Sequence, residues 1–181
     1  VGCKQFDVKA TIFTDLQNIG ILIQDCLGQC DEGHAIQNVK VSLAKGGGIV
    51  ALRSGVCIVD SNLGFNSPMG IGIVDSTAVI SNCSIIGNQE IFSGPQAGKF
   101  GDGVVVYSRS NSSVAILINN NIVDSDRGAV SNFGAKVVLK DNFFFDQGFD
   151  VQVENLDGFQ FELEDQGGNI CDTDGAGPGK A

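Results

Sequence analysis

The 181-residue chain is 43% hydrophobic, contains 25 glycines and no tryptophan, and carries a net charge of −10. This acidity argues against binding to nucleic acid or to an anionic membrane surface, because both demand clusters of Lys and Arg. No apolar run approaches the ~18–20 residues that span a bilayer, and no segment keeps a 3.6-residue period for three turns. The sequence therefore predicts one domain of short strands and tight turns.

The first 19 residues are predicted to form an incomplete coil. Val8, Ala10 and Ile12 recur with the two-residue period of a half-buried strand. No amphipathic helix in this stretch could cap a stack of coils, so we expect an upstream segment or a partner to supply the cap.

A polar loop over residues 24–34 contains Cys26, Cys30 and the chain's one histidine, His34. A zinc site needs about four closely spaced ligands, and no second cysteine pair lies near this loop in sequence. A disulfide between Cys26 and Cys30, or a bond from this pair to Cys3, is favoured over a metal site. His34 is expected to be an exposed loop residue.

Residues 48–147 contain a phrase that occurs four times: a Gly-led apolar strand, a polar turn, a second apolar strand, a corner and a third strand. The Gly-led strands begin at Gly48, Gly70, Gly103 and Gly128. The corners fall at Asn62, Cys83, Asn121 and Asn142; the first two lie 21 positions apart, and so do the last two. A repeat of this length made of short strands indicates a stacked solenoid.

The corner residues are predicted to form an internal ladder. A single Asn at a turn is most simply a turn former. Asn at matched positions of successive coils can instead bond to the coils above and below and satisfy buried amides. The ladder is assigned to Asn62, Cys83, Asn121 and Asn142. Cys57 and Cys83 occupy different positions in their phrases, so each is interpreted as a small buried apolar side chain.

This pattern resembles the right-handed parallel β-helix of the pectin-lyase-like superfamily, most closely over residues 48–147. The resemblance implies an all-β solenoid of about eight coils over residues 1–170, followed by a flexible tail over 171–181. It also implies a substrate cleft along the Gly-led strands, walled by loops. The commonest activities in such proteins are those of polysaccharide lyases, hydrolases and epimerases.

The segment 89–102 is the one clear insertion, and it leads directly into the strand at Gly103. Candidate catalytic residues around it are Lys99, Asp102, Arg109, Asp124, Asp126 and Arg127. Lyase chemistry on an acidic sugar needs a base and a cation, either Ca²⁺ or Arg/Lys, and hydrolysis needs converging carboxylates. Candidate sugar-stacking residues are Phe92, Phe100 and Tyr107. No cofactor is expected, and Ca²⁺ enters only if the protein is such an enzyme.

The paired-aspartate, Gly-His-Gly and Arg-containing signatures of the major pectin-active families are absent from the sequence. The expected floor of the cleft is also apolar, whereas a cleft that binds sugar should present polar groups. Both observations favour a non-catalytic role. Asp124–Arg127 resembles a turn that contacts a cation or a sugar, but a solvated turn is the favoured interpretation.

The middle strands are apolar at both odd and even positions, so both of their faces are apolar. This predicts that their outer faces are covered. The outward residues assigned to this interface are Val50, Leu52, Val74, Val105, Ile58, Val79, Leu117, Val138, Phe143 and Phe145. After residue 147 the apolar residues alternate with acidic ones, as in a solvated strand. We therefore expect lateral association through the middle coils, as a homo-oligomer or within a larger protein assembly.

Six cysteines and two sequons, at Asn82 and Asn111, favour a secreted or cell-surface protein. Asn111 lies in a predicted turn and is the better acceptor for a glycan. Any signal peptide is expected to be removed or to lie outside this sequence. The sequence thus predicts a β-helical structural or interaction module, possible association with carbohydrate, and a polysaccharide-active enzyme as the alternative.

Overall fold

The computed structural model describes residues 6–28, 34–91, 101–109, 112–145, 147–154 and 160–171. These residues form twenty short strands and no helix. The strands pair in parallel and belong to three sheets, which the chain visits in a fixed order. The predicted all-β parallel β-helix is confirmed.

Sheet A contains the first strand of each coil. Its seven strands, in spatial order, are β1 (Asp7–Lys9), β4 (Ala35–Gln37), β7 (Gly55–Val59), β10 (Thr77–Ser81), β13 (Val114–Ile118), β16 (Lys136–Lys140) and β19 (Glu162–Asp165).

Sheet B contains the shortest strands. They are β2 (Ile12–Thr14), β5 (Lys40–Ser42), β8 (Asn62–Gly64), β11 (Ser84–Ile86), β14 (Asn121–Val123), β17 (Phe143–Phe145) and β20 (Ile170–Cys171).

Sheet C contains the Gly-led strands of the repeat. They are β3 (Ile21–Gln24), β6 (Ile49–Leu52), β9 (Met69–Val74), β12 (Asp102–Tyr107), β15 (Gly128–Phe133) and β18 (Phe149–Glu154). Since no sheet is more than seven strands deep, the described part of the chain holds fewer coils than the eight predicted. Cys171, assigned to the tail, belongs to β20, and the rest of the tail lies outside the described residues.

The core is built from columns of similar side chains. In sheet A the register aligns residues that have at most 4% exposed surface, namely Ile36, Ile58, Ile80, Leu117 and Leu139. In sheet B it aligns Val41, Leu63, Ile85, Ile122 and Phe144. Each column removes its apolar surface from water only because the next coil covers it.

Polar ladders occupy the corner between sheets A and B. The Oδ1 atom of Asn120 accepts from the Cys83 N–H at 3.0 Å, and its Nδ2 donates to the Ile80 carbonyl and to Asn142 Oδ1, each at 2.9 Å. Asn142 repeats this pattern with Leu117 and Asn169. Ser61 occupies the same column and accepts from the Val39 N–H at 3.3 Å.

Two of the four predicted ladder positions are therefore one residue off. Asn62 and Asn121 are exposed and begin strands of sheet B, and the ladder uses Ser61 and Asn120 instead. The ladder bonds from Val39 to Ser61 and from Asn120 to Asn142 link residues 22 apart, whereas the sequence predicted an interval of 21. Cys83 and Asn142 do lie in the ladder.

The other two corners have ladders of their own, which the sequence analysis missed. Between sheets C and A, backbone N–H groups donate to Ser54, Ser76 and Ser113 hydroxyls at 2.9–3.1 Å. Between sheets B and C, Asn66 Oδ1 accepts from the Ala44 N–H and Asn88 Oδ1 from the Asn66 N–H. Each corner thus carries a column of side-chain acceptors.

The predictions for His34 and for the disulfide concern the first coils of the stack. His34 is fully buried against Phe6, with ring centroids 5.1 Å apart, so its assignment to the surface is wrong. Cys57 is half-buried and disulfide-bonded, so its interpretation as a free apolar side chain is also wrong. Cys26 is buried, and Cys30 lies outside the described residues, so the Cys26–Cys30 bond stays a prediction.

The ladder can be tested by comparing adjacent asparagines. Asn120→Ala leaves the Cys83 N–H and the Ile80 carbonyl without their side-chain partner, and an unsatisfied buried group costs about 1–3 kcal/mol. We expect the free energy of unfolding, measured by chemical denaturation, to fall by about 2–5 kcal/mol. Asn121→Ala, at the exposed neighbour, should change it by about 0.5 kcal/mol or less. Equal losses would contradict the ladder's position.

Candidate functional site

The outer face of sheet C carries a charged cluster around Asp102, the first residue of β12. The Asp102 side chain is fully buried, and its Oδ1 accepts a hydrogen bond from the Ser131 hydroxyl at 2.9 Å. Its Oδ2 has no hydrogen-bond partner among the described residues and lies 3.6 Å from Arg127 Nη1. The cluster therefore holds a carboxyl group only partly compensated by hydrogen bonds.

Aromatic rings and one amide hold Arg127 in place. Its Cζ lies 5.6 Å from the centre of the Phe149 ring and 6.0 Å from that of Phe133, within range of cation–π attraction. Its Nη2 donates to Gln152 Oε1. With only a quarter of its side chain exposed, Arg127 is fixed as a positive group beside Asp102.

A second cation, Arg109, stands over the Tyr107 ring at 5.6 Å, and that ring is 6.5 Å from Phe133. The two arginines and the aromatic rings thus form one continuous surface. Of the other predicted catalytic residues, Asp126 is exposed and accepts from the Glu90 N–H at 2.9 Å, and Asp124 is exposed in a turn with φ of 54°.

Burial raises the pKa of Asp102 to about 6, and the positive charge of Arg127 and the Ser131 hydrogen bond only partly oppose this rise. A carboxyl group with such a pKa can exchange a proton near neutral pH. In this structure, however, Asp102 has no exposed surface, so a substrate does not reach it.

Two insertions flank β12, where the sequence analysis had found one. Four residues separate Gly64 from Met69, but fifteen separate Ile86 from Asp102. At the other end of the strand, Val114 follows Tyr107 by seven residues, whereas Thr77 follows Val74 by three. Both extra segments join the strand that carries Asp102 and Tyr107.

The structure brings together Asp102 and Arg127, and it places Arg109 and Tyr107 on the same surface. Lys99, Phe92 and Phe100 lie outside the described residues. Sequence reasoning missed Ser131, Phe133, Phe149 and Gln152, which come from the next two coils. The pairing places Ser131 and Gln152 beside Val105 on the outer face, at intervals of 26 and 21 residues. An alignment of the Gly-led strands misses this, because Gly128 pairs with Asp102 and not with Gly103.

A second candidate site lies on the outer face of sheet B. Phe143 and Phe145 are 39% and 44% exposed, and their rings stack at 5.9 Å with an interplanar angle of 10°. Ile170, on the neighbouring strand β20, is 59% exposed. Phe65, directly after β8, is 50% exposed. This set of exposed apolar residues defines the sheet B surface.

The remaining predicted interface residues are less exposed than expected. Ile58 and Leu117 point into the core, so their outward assignment is wrong, because the second strands are apolar at both parities and were read in the wrong register. Val105 and Val138 are 5% exposed. The other four, Val50, Leu52, Val74 and Val79, are half-buried on outer faces.

Of the two sequons, Asn82 is exposed at a corner, where its Nδ2 donates to Asp60 and its Oδ1 accepts from Asn119. Asn111 lies outside the described residues. No group of three or more His, Cys, Asp or Glu within the described ranges could hold a metal ion. Within the same ranges there is also no helix with the length and apolar character to cross a membrane.

The chain matches no protein-family model, no curated protein and no solved structure. Its class therefore rests on its own architecture, which is that of a parallel β-helix with ladders at three corners. Architecture of this kind does not determine a function.

The buried carboxyl group should give folding a distinctive pH dependence. Because the pKa of Asp102 is raised from 3.8 to about 6 on folding, its contribution to stability is present below about pH 4 and is lost as the pH rises through 6. The free energy of unfolding of Asp102→Asn, relative to the native protein, should rise by about 3 kcal/mol across this window. Denaturation at several pH values measures it, with Asp60→Asn as the exposed control. A difference that does not change with pH would contradict the assignment.

Proposed function

We propose that this protein is a structural or interaction module that associates laterally with other protein through the sheet B surface. The observation that supports it most directly is the stacked pair of Phe143 and Phe145, both exposed on neighbouring outward positions of β17. Exposed aromatic pairs contribute strongly to protein interfaces because they bury a large apolar area at low entropic cost.

The surface extends along one side of the sheet. Between Phe65 and Phe145 the outer positions nearer sheet C carry Ile86 and Val123, which are half-buried and apolar, while those nearer sheet A carry Ser84 and Asn121. Contiguous apolar surfaces on monomers are usually limited to a few hundred Å², and larger ones mark interaction sites. The net charge of −10 makes separate copies repel one another. Association must therefore rely on such a patch rather than on non-specific attraction.

We further propose that the protein is secreted or exposed on a cell surface, that its fold is related to the right-handed helices of the pectin-lyase-like superfamily, and that it works in contact with carbohydrate. Six cysteines in the sequence, the disulfide bond of Cys57 and an exposed sequon at Asn82 support an oxidising compartment. The aromatic rings of Tyr107 and Phe133 offer a sugar-stacking surface on sheet C.

Replacing Phe143 and Phe145 together by serine should weaken association by about 100-fold or more, because two aromatic side chains leave the interface. Light scattering on a sizing column gives the molar mass as a function of protein concentration. Phe161→Ser, with 36% of the phenylalanine exposed on the acidic last coil, is the matched control and should leave the mass unchanged. A native protein that stays monomeric at high micromolar concentration would overturn the proposal.

A polysaccharide lyase or epimerase is the second candidate function, and the carboxyl group of Asp102 beside Arg127 is the observation that favours it. Because the Asp102 side chain is fully buried in this structure, such a site requires a rearrangement that exposes it; the carboxylate would then serve as base and the guanidinium would stabilise developing negative charge. Incubation with a panel of acidic polysaccharides, with and without Ca²⁺, should then yield unsaturated or epimerised products. Asp102→Asn should abolish them, and no product from any polymer would exclude the activity on that panel.

A further inference from the structure

The ladder bonds that start from corner N–H groups run in one direction along the stack. Between sheets A and B, the N–H groups of Cys83 and Asn120 donate to a side chain of the following coil. The N–H groups of Ser54 and Ala44 do the same at the other two corners. Each coil thus depends on its successor for side-chain acceptors, so the C-terminal end of the stack needs another source of them.

Where the following coil offers no acceptor, a side chain of the same coil replaces it. Between sheets C and A, the ladder position after Ser113 is Ala135, whose side chain has no polar atom. The Ser113 N–H donates to the Ser108 hydroxyl at 3.3 Å, and the Ala135 N–H donates to Asn132 Oδ1 at 3.0 Å. Both acceptors belong to the coil of their donor. A ladder in this fold can therefore be closed from within its own coil.

Asp165 closes the ladder between sheets A and B in this way. In the preceding coils, the Nδ2 atoms of Asn120 and Asn142 donate to Oδ1 of the following asparagine at 2.9 and 3.0 Å. Asn169 Nδ2 donates instead to Asp165 Oδ1 at 2.7 Å, and the same oxygen accepts from the Gly167 N–H at 2.8 Å. The carboxylate thus occupies the acceptor position that a further coil would fill, much as a side chain caps the first turn of a helix.

Asp165 also ends an apolar column of sheet A. It pairs in register with Leu139, which is 4% exposed and belongs to the column that contains Ile36. Side chains at paired positions of parallel strands lie on the same face of the sheet. Asp165 is nevertheless exposed, because within the described part of the chain β19 has a paired strand on one side only. A further coil in this register would bury the charge, which is costly without an oppositely charged partner.

Apolar side chains flank Asp165 at this end of the stack. Leu163, in the same strand, is 41% exposed, and β18 of sheet C contributes half-buried Val151 and Val153. Such an end would attract another coil if its charge were removed. Inward-pointing charges are one of the devices that protect open strand edges from adding further strands.

We propose that Asp165 is a capping residue with two effects. Its carboxylate supplies the acceptor that the last corner requires, and its charge prevents the first coil of a second copy from adding to this end. Addition in register would place Val8 of that copy over Asp165, because Val8 pairs with Ile36 in the same column. The inference goes beyond the lateral association proposed above and does not depend on it. A protein built this way associates through its sides without growing into a filament along its axis.

Amide hydrogen exchange, measured by NMR, tests the capping bond. In Asp165→Leu the Gly167 N–H loses its charged acceptor, and its exchange should accelerate by about tenfold or more. Asp165→Asn keeps an oxygen acceptor and should exchange more slowly than Asp165→Leu at this amide. Equal exchange rates at Gly167 in the native protein and in Asp165→Leu would overturn the cap.

Association along the axis is tested in a Phe143→Ser/Phe145→Ser background, which removes the aromatic pair of the sheet B surface. In this background Asp165→Leu should raise the mean molar mass by at least about twofold, because a head-to-tail contact is open-ended. Sedimentation velocity at increasing protein concentration measures it. Glu164→Leu is the matched control, since it removes the same charge from the outer face of the same strand, and it should keep the background mass.

The position of the contact is tested at the opposite end of the stack. Adding Val8→Asp to Asp165→Leu restores a charge to the contact and should return the mass to that of the background. No rise with Asp165→Leu, an equal rise with Glu164→Leu, or a rise that persists with Val8→Asp would each overturn the inference. Circular dichroism establishes that each variant is folded. Since every arm lacks the aromatic pair, a failure of the proposed lateral association leaves these outcomes unchanged.

Discussion

The fold depends on the hydrogen bonds that side chains make to the backbone at the three corners of each coil. A corner turns the chain away from both neighbouring sheets, so its N–H groups lose their strand partners while remaining buried. Asn120 and Asn142 solve this by bonding to the coils on both sides at once, whereas the Ser76 hydroxyl accepts from the Ser54 N–H of one neighbouring coil and donates to the Val74 carbonyl of its own. The spacing of these acceptors fixes the register, and the register places every other side chain.

The relation between sequence and structure is clearest at these corners. Sequence alone could predict the repeat, the parallel stacking and the strands, because the spacing of the apolar residues shows their period. The register could not, because Asn62 and Asn121 lie next to the true ladder residues and are equally good turn formers. The same ambiguity explains Ile58 and Leu117, since a strand apolar at both parities gives no sign of which side faces inward.

The charged cluster shows a different limit. Asp102 was identifiable because it ends an insertion, and insertions in repeats carry function, while Arg127 was identifiable because it belongs to a charged turn before the next Gly-led strand. Ser131 and Gln152 were not, because they reach the cluster only through the pairing of β12, β15 and β18, which brings together residues 20 to 50 positions apart. The two outer faces thus differ in character. Sheet C holds buried polar groups such as Asp102 and Ser131, whereas sheet B exposes apolar side chains such as Phe143 and Phe145.

The ladder bonds span 22 residues in most of the molecule but 37 residues from Ser76 to Ser113 and from Cys83 to Asn120. Fifteen additional residues are therefore accommodated in one coil while its corners stay in line with those above and below. A stack of this design can accept new sequence at the ends of a strand without altering a single core contact. Loops can then be gained, lost or exchanged while the scaffold remains constant, which makes β12 a natural position for grafting a foreign segment.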